Sequence, residues 1–257
     1  MKLSHMALVC VAISAPMLSG CVPQPTKVKD VLTDKTGYLS ANFSPDTISP
    51  KVRSKIQASD GTPLGFHKMK IGLTWTFNTD DKNKTTTGQK MTTFINAGGS
   101  FVEMLSEYSK NDITYKQEYD LSYRGLLTLK TQYVSDSSTF AGVSYEVKDM
   151  LQLDSLSAAH AAQAITYKYK YGTKVQIMNF RDGSMTCTVG ESYPASKAFT
   201  RLEGNAQNVD CTNYNNNGVE QGKAGHVYLE KYGIAVLTST KSASAISDAK
   251  IDSVEIE

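Results

Sequence analysis

The side chains that could do chemistry in this 257-residue chain are few and scattered. His67, His160 and His226 are the histidines beyond the first twenty residues, and none stands in an HExxH motif, near a GxSxG motif or in a Cys/His nucleophile pair. Asp80 and Asp81 are adjacent carboxylates, but a lysine follows them, which is typical of a solvated loop rather than of an acid and a base flanking a substrate. The sequence therefore predicts no catalytic residue, no metal site and no cofactor. We expect a protein that is not an enzyme.

The most distinctive chemical feature is aromatic. The chain has fourteen tyrosines, and in the stretch TYKYKYG three of them, Tyr167, Tyr169 and Tyr171, alternate with lysines. In a β-strand this spacing puts the three rings on one face and the lysines on the other. Tyrosine combines a large contact area with a hydrogen-bonding tip, so one interpretation is an amphipathic binding face. The other is cross-strand packing in a sheet with one solvated face.

Period-two patterns run through most of the chain and must form the elements that position these residues. In MKIGLTWTFN every second residue from Met69 to Phe77 is apolar, and Trp75 is one of them. DITYKQEYDLSY alternates in the same way and predicts a strand with one wet face. Further strands are predicted in GLLTLKTQYV, GVSYEVKDM, ITYKYKY, KVQIMNF, SMTCTV, HVYLEK, YGIAVLTS and IDSVEIE. Within HVYLEK, His226 is expected to join Tyr228 and Glu230 in a surface cluster.

Short turns separate these strands, and RDG between KVQIMNF and SMTCTV is the clearest predicted hairpin. Only LDSLSAAHAAQA and SFVEMLSEYSK have helical features. Strands that follow strands without βαβ alternation predict a mainly β fold with an antiparallel sheet. Such a sheet would be closed or packed as a barrel, a half-barrel or a sandwich, with one or two short helices. Residues 66–257 are predicted to form this single domain.

Residues 21–65 differ from the domain that follows. They are rich in Pro, Ser, Thr, Asp and Lys and have little periodicity, so we expect mainly a flexible tether. The stretch YLSANF within it is open to a second interpretation, an extra edge strand docked on the domain.

Residues 1–20 have the layout of a secretory signal peptide. Lys2 precedes an apolar run from Met6 to Leu18 that is too short to span a bilayer comfortably, and small residues close the segment. The stretch LSGC that ends at Cys21 resembles the lipobox of bacterial lipoprotein precursors, and the resemblance is confined to residues 1–21. An ordinary cleaved signal peptide that leaves Cys21 as a free thiol is the alternative.

The lipobox resemblance implies that cleavage falls before Cys21, which then carries a diacylglycerol on its thiol and an acyl chain, such as palmitate, on its amino group. Several acyl chains give stable membrane attachment where one would not. In the enteric version of this class an aspartate after the cysteine favours the inner membrane, and here Val22 follows. We therefore expect a lipid anchor in the bacterial outer membrane, with the domain in the periplasm.

The remaining cysteines fit the same compartment. If Cys10 leaves with the signal and Cys21 carries lipid, Cys187 and Cys211 remain, and in an oxidising periplasm two cysteines predict one disulfide bond. Removal of residues 1–20 takes away one lysine, which leaves 26 basic residues against 25 acidic ones. This balance does not favour nucleic acid as a partner.

Three functional hypotheses follow. The first is a non-enzymatic outer-membrane lipoprotein that binds an envelope partner, protein or lipid, in envelope assembly or maintenance. The second is a carrier of lipids or lipoproteins, with an acyl chain held in an apolar half-barrel cavity lined by Trp75 and its neighbours. The third is a hydrolase acting on envelope polymers. A site with two converging carboxylates, or with a histidine paired to a carboxylate, would favour the hydrolase.

Overall fold

The protein folds as a closed antiparallel β-barrel in a computed structural model that describes residues 26–79 and 85–257. Each strand pairs with its neighbours in sequence, and β1 pairs with β12 to close the ring. Among the described residues there are twelve strands: Lys68–Thr79 (β1), Thr85–Asn96 (β2), Phe101–Lys110 (β3), Ile113–Tyr123 (β4), Leu127–Ser135 (β5), Tyr145–Leu153 (β6), Ala164–Thr173 (β7), Arg181–Pro194 (β8), Asn205–Asn215 (β9), Glu220–Leu229 (β10), Ile234–Lys241 (β11) and Ala245–Ile256 (β12). The predicted mainly β, antiparallel fold is confirmed, and the barrel is the architecture present.

The alternation of β1 explains its place in the ring. Met69, Ile71, Leu73 and Trp75 are all buried, while the residues between them are less so or are glycine. Both edges of the strand are hydrogen-bonded, to β2 on one side and to β12 on the other. A strand paired on both edges with one apolar face turned inward is what a five-fold apolar alternation favours.

Two junctions of the ring are much shorter than the others. Strands β5 and β6 share two residue pairs, Lys130 with Glu146 and Thr131 with Tyr145, and β11 and β12 share three. Every other neighbouring pair of strands shares at least seven. We call these two places the short junctions.

The prediction of a flexible tether over 21–65 is wrong for most of that segment. Three α-helices occupy Val28–Thr33 (α1), Lys35–Phe43 (α2) and Pro50–Ser59 (α3). Asp34 caps α2 by accepting a hydrogen bond from the backbone N–H of Gly37 at 2.8 Å, and Pro50 begins α3 at the position where its missing N–H costs nothing. Each helix buries two apolar side chains three or four residues apart, namely Val28 and Val31, Leu39 and Phe43, and Val52 and Ile56.

The helices cover β3 and β4 and the open edge of β6. The Phe43 ring stacks on Tyr119 of β4 with 6.0 Å between centroids. Lys55 of α3 donates a 2.8 Å hydrogen bond to the backbone carbonyl of Leu151, on the part of β6 that β5 leaves unpaired. The tether prediction failed because two apolar residues per helix give too weak a pattern to indicate a helix. The helices are stabilised when these residues pack against the barrel surface. YLSANF is part of α2, so the edge-strand interpretation is also wrong.

A buried ion pair ties the helices to two turns at one end of the barrel. The guanidinium of Arg124, in the β4–β5 turn, donates from Nε and Nη2 to the two carboxylate oxygens of Asp60, each at 2.7 Å, and both side chains are fully buried. Its Nη1 donates to the carbonyl of Gly233 in the β10–β11 turn at 3.0 Å. Tyr123 and Ser157 also donate to Asp60, at 2.6 and 2.9 Å. The end of α3 and three connections of the barrel thus share one polar network.

Four other local predictions are wrong. SFVEMLSEYSK forms β3 rather than a helix. Its apolar residues do not alternate as in a half-buried strand, because both faces of β3 are buried along much of its length. LDSLSAAHAAQA is an irregular β6–β7 connection, in which Asp154 accepts from the backbone N–H of Thr166 instead of capping a helix. KVQIMNF is a loop, and RDG lies inside β8, paired with Tyr169 to Tyr171 of β7.

Cys187 and Cys211 are joined by a disulfide bond, as predicted. The two residues are direct register partners on β8 and β9, so the bond links neighbouring strands. None of the helices in the described ranges is long and apolar enough to cross a membrane. The lipidation prediction at Cys21 and the signal-peptide prediction lie outside the described residues.

Candidate functional site

Side chains of the sheet divide into two faces that can be assigned from the register. Residues paired across antiparallel strands point to the same side. Following the pairs around the ring from Trp75 puts Lys90, Asp120, His226 and Tyr169 on one side, which we call the inner face. It is the inside of the barrel, because Asp120 of β4 and His226 of β10 line one cavity although their strands lie on opposite sides of the ring.

The three tyrosines of β7 share the inner face, but they have different environments. Tyr167 is completely buried, with its ring centroid 6.0 Å from that of Tyr123, and burial raises the pKa of its phenol. Its hydroxyl has no hydrogen-bond partner among the described residues. Tyr167 is therefore a core residue, as the packing interpretation expects.

Tyr169 and Tyr171 instead line an open cavity of about 530 Å³, together with Tyr145. The first two rings are 6.0 Å apart and half-buried, and Tyr145 is 41% exposed. Gly183 lies opposite Tyr169 and makes room for its ring, because a Cβ atom there would be 2.8 Å from the ring. We call the cavity bounded by these three tyrosines the tyrosine cup.

Polar groups accompany the rings of the tyrosine cup. Arg181 is the register partner of Tyr171 and is exposed, and Thr131 and Asn213 also line the cavity. The size of the cup lies within the range of small-molecule sites, which are typically apolar with a few placed polar groups. Its aromatic faces can hold an apolar body, and the Arg181 guanidinium can hold a carboxylate, phosphate or carbonyl oxygen. This arrangement is suited to binding rather than to breaking bonds.

Trp75 is not part of the tyrosine cup. Its ring stacks on Phe77 with 6.1 Å between centroids, and only 5% of the residue is exposed. It belongs to a second apolar core formed with β10, β11 and β12, and its Nε1 is buried without a partner in the described part of the chain. Of the four residues that the sequence suggested for ligand contact, Trp75 and Tyr167 are therefore core residues, whereas Tyr169 and Tyr171 line the cup.

Sequence reasoning missed a second cavity, which is polar and partly enclosed. It has a volume of about 240 Å³, and Lys90, Glu118, Asp120 and His226 line it. We call it the charged cavity. Lys90, Asp120 and His226 are each more than nine-tenths buried. Tyr108 donates a 2.5 Å hydrogen bond to Glu118, whereas Asp120 Oδ1 and His226 Nδ1 have no partner among the described side chains and backbone groups.

The electrostatics of the charged cavity follow from its burial. Burial and the negative charge of Glu118 raise the pKa of Asp120 well above its usual range. Burial also lowers the pKa of Lys90, although the two carboxyl groups oppose this effect. It lowers the pKa of His226 to about 4, so the imidazole is neutral at pH 7. A carboxyl group whose pKa is raised in this way can hold a proton at neutral pH and donate it as a general acid.

The charged cavity corrects two predictions. His226 is buried inside the barrel and does not belong to a surface cluster. The face of DITYKQEYDLSY that carries Glu118 and Asp120 was expected to be wet, yet it is the inner face, and the opposite face lies under the helices. The alternation was itself the available signal, since it identified two faces but could not tell which one the barrel encloses. Among the described residues no cluster of three metal-ligating side chains occurs.

Comparison with known proteins adds no assignment to the geometry described above. No protein-family model and no curated protein matches the chain. Among solved structures it is similar to a DUF1329 family protein from Desulfovibrio piger, with 9% sequence identity and a TM-score of 0.39. The similarity covers 79% of this chain and 90% of that one. So distant a likeness assigns no family and no activity.

Proposed function

We propose that this chain is a non-enzymatic binding protein of the bacterial outer membrane, anchored by lipid on Cys21, with its barrel in the periplasm. The tyrosine cup is the observation that carries the binding role. The LSGC stretch supports the anchor, since a cysteine directly follows a short apolar segment and two small residues. The proposed partner is a component of the cell envelope, and the proposed role is envelope assembly or maintenance.

The lining of the tyrosine cup defines the class of ligand. Tyr145, Tyr169 and Tyr171 offer ring faces, and Arg181 offers a cationic fork at the edge of the same cavity. A matching ligand has an apolar portion and an anionic or carbonyl oxygen nearby. Both a peptide segment of an envelope protein and a lipid meet this description.

The carrier hypothesis survives only in an altered form. An apolar cavity lined by Trp75 is not supported, because its ring is packed against Phe77 in the second core. An acyl chain would have to enter the tyrosine cup instead. The identity of the ligand bound there therefore separates a carrier from a protein-binding module.

Photo-crosslinking tests the binding role. Benzoylphenylalanine in place of Tyr171 reports on the cup, and the same residue in place of Tyr193, at the opposite end of the barrel, is the control. Irradiation of living cells should give a defined adduct at position 171 only, and its mass would identify a peptide or a lipid. Gly183→Ala should weaken this adduct several-fold, because the added methyl displaces the Tyr169 ring. Equal labelling at both positions, or none at 171, would contradict the proposal.

The charged cavity suggests a second candidate function, hydrolysis, because two carboxyl groups and a histidine line it. Burial raises the pKa of Asp120, Glu118 lies beside it, and the imidazole of His226 is neutral at pH 7; the cavity has a volume of about 240 Å³. Purified protein incubated with isolated peptidoglycan would release small fragments if this candidate were correct. Asp120→Asn and Glu118→Gln should each abolish the release, with Asp136→Asn as an exposed control. If the unaltered protein releases nothing, the binding role stands alone.

A further inference from the structure

Large exposed apolar side chains are concentrated at one end of the barrel. In an up-and-down ring, the connections that follow β1, β3, β5, β7, β9 and β11 emerge at the same end. Of fourteen large exposed hydrophobic residues in the described ranges, eleven lie in or next to these connections. The other three are Met91, Leu151 and Ile256. Scattered exposed hydrophobic residues need no explanation, but a concentration at one end does.

Three neighbouring loops carry six of these residues. The β5–β6 loop presents Phe140 and Val143, the β7–β8 loop presents Val175, Ile177 and Met178, and the β9–β10 loop presents Val219. Their exposed fractions run from 47% to 82%, with Ile177 the highest. The first two loops are joined by a 3.0 Å hydrogen bond from the backbone N–H of Lys174 to the carbonyl of Ser144. We call these six apolar residues the apolar rim.

The amino-terminal part of the chain enters the described structure at the apolar rim. The carbonyl of Thr26 accepts a 2.9 Å hydrogen bond from Ala141, and Val28 donates to Thr139 at 3.1 Å. Lys27 forms a β-bridge with Phe140, which is itself a rim residue. Thr26, the first described residue, is therefore held on the β5–β6 loop.

Chain length brings the proposed lipid close to this end. Cys21 precedes Thr26 by five residues, and an extended chain covers at most about 3.6 Å per residue, so the anchor lies within about 18 Å of the rim. The lipid surface is then within reach of the rim, while the opposite end of the barrel is much farther away. The KVQIMNF loop also contains a lysine and no acidic residue, which suits an anionic lipid surface.

We infer that the apolar rim rests on the bilayer and inserts Ile177 and its neighbours among the lipids, so that the barrel stands with the mouth of the tyrosine cup toward the membrane. This inference rests on the lipid anchor of the proposed function. Exposed apolar side chains next to a covalent lipid act as a second attachment signal, and two signals together give stable and oriented binding. A lipid ligand could then reach Tyr145 and Tyr171 without crossing water.

A probe at position 177 tests this orientation on the full-length lipidated protein. Cys187 and Cys211 are bonded to each other, Cys21 carries lipid, and Cys10 is removed with the signal, so Ile177→Cys offers one free thiol for an environment-sensitive NBD label. Leu151→Cys is the matched control, since Leu151 is 47% exposed on the wall of the barrel. Both proteins are reconstituted in vesicles of phosphatidylethanolamine and phosphatidylglycerol, with and without nitroxide-bearing lipid.

The expected result is a blue shift and at least two-fold quenching of the label at 177, with no change at 151. Val175→Cys repeats the measurement should the first variant fold poorly. If the protein floats with the vesicles but the labels at 177 and 151 behave alike, the anchor is supported and the resting of the rim on the bilayer is refuted. If the protein does not float, the anchor itself is wrong, and the inference falls with it.

Discussion

Replacement of Asp60 by asparagine tests the polar network that holds the helices to the barrel. The substitution leaves the shape of the side chain almost unchanged and removes the negative charge that faces Arg124. Since the guanidinium is fully buried, its charge remains without compensation. Breaking a buried ion pair by removing one partner costs about 3–5 kcal/mol. For a domain of this size that corresponds to a fall in Tm of about 6–20 °C.

Urea unfolding at pH 7, followed by far-UV circular dichroism, measures this cost. The exposed pair of Asp46 and Arg53 supplies the control, because Asp46→Asn removes a charge whose side chain is 88% exposed and should cost less than about 1 kcal/mol. Asp60→Asn combined with Arg124→Met should be less destabilising than the sum of the single changes. If Asp60→Asn cost no more than Asp46→Asn, the network would not hold the helices in place as described.

The pH dependence of the Asp60→Asn effect has a definite sign. Burial alone would raise the pKa of Asp60, but hydrogen bonds from Arg124 and Tyr123 lower it well below its usual range. The ionised carboxylate therefore stabilises the fold above the unfolded pKa of about 3.9, and the stabilisation is lost as the pH falls toward the folded pKa. The difference between Asp60→Asn and the unaltered protein should be constant from pH 5 to 8 and should shrink below pH 4.

Three further predictions concern stability. The pKa of His226 falls from about 6.5 to about 4 on folding, so the protein should lose about 2 kcal/mol of unfolding free energy between pH 7 and 5. His226→Gln should remove most of this loss. If the unfolding free energy from urea titrations depended on pH equally in both proteins, the assignment would be contradicted. Replacing both Cys187 and Cys211 with serine should cost about 2–5 kcal/mol and make unfolding insensitive to reductant, whereas continued sensitivity would point to another disulfide. Gly125→Ala should cost about 1–3 kcal/mol more than Gly98→Ala in thermal unfolding. Both glycines have positive φ, but only at Gly125 would a methyl group lie 2.4 Å from a backbone carbonyl oxygen. Equal costs for the two variants would refute this close approach.

Alternation in the sequence was enough to predict the sheet and the shared face of the β7 tyrosines. β1 was predictable because its apolar residues alternate without a break, and β4 because only Gln117 interrupts the same alternation. KVQIMNF misled for a physical reason, since Val175 and Ile177 alternate as in a strand yet are exposed on a loop. A pattern of apolar residues indicates side chains that favour burial, but it does not show whether the rest of the protein or another partner buries them.

The charged cavity could not be predicted, because its parts are brought together only by closure of the ring. Lys90, Asp120 and His226 are 30 to more than 100 residues apart in the chain and meet because β4 and β10 face each other. Register shifts in β10 and β11 further change which residues point inward there. The helices were missed for a related reason, since two apolar residues per helix become informative only once the surface that buries them is known.

The short junctions divide the ring into two arcs, one from β12 through β1 to β5 and the other from β6 to β11. The β5–β6 junction has two residue pairs and the β11–β12 junction has three, so the short junctions have the fewest backbone hydrogen bonds to break. Local opening of the barrel should therefore begin there. The amino-terminal helices bridge the short junction between β5 and β6, since α2 packs on β3 and β4 while α3 packs along β6. Proteolytic cleavage of the backbone between α2 and α3 would leave every strand intact but would remove the covalent link between the helices on the two sides of the β5–β6 junction. We expect the barrel to open more readily at this junction after such cleavage.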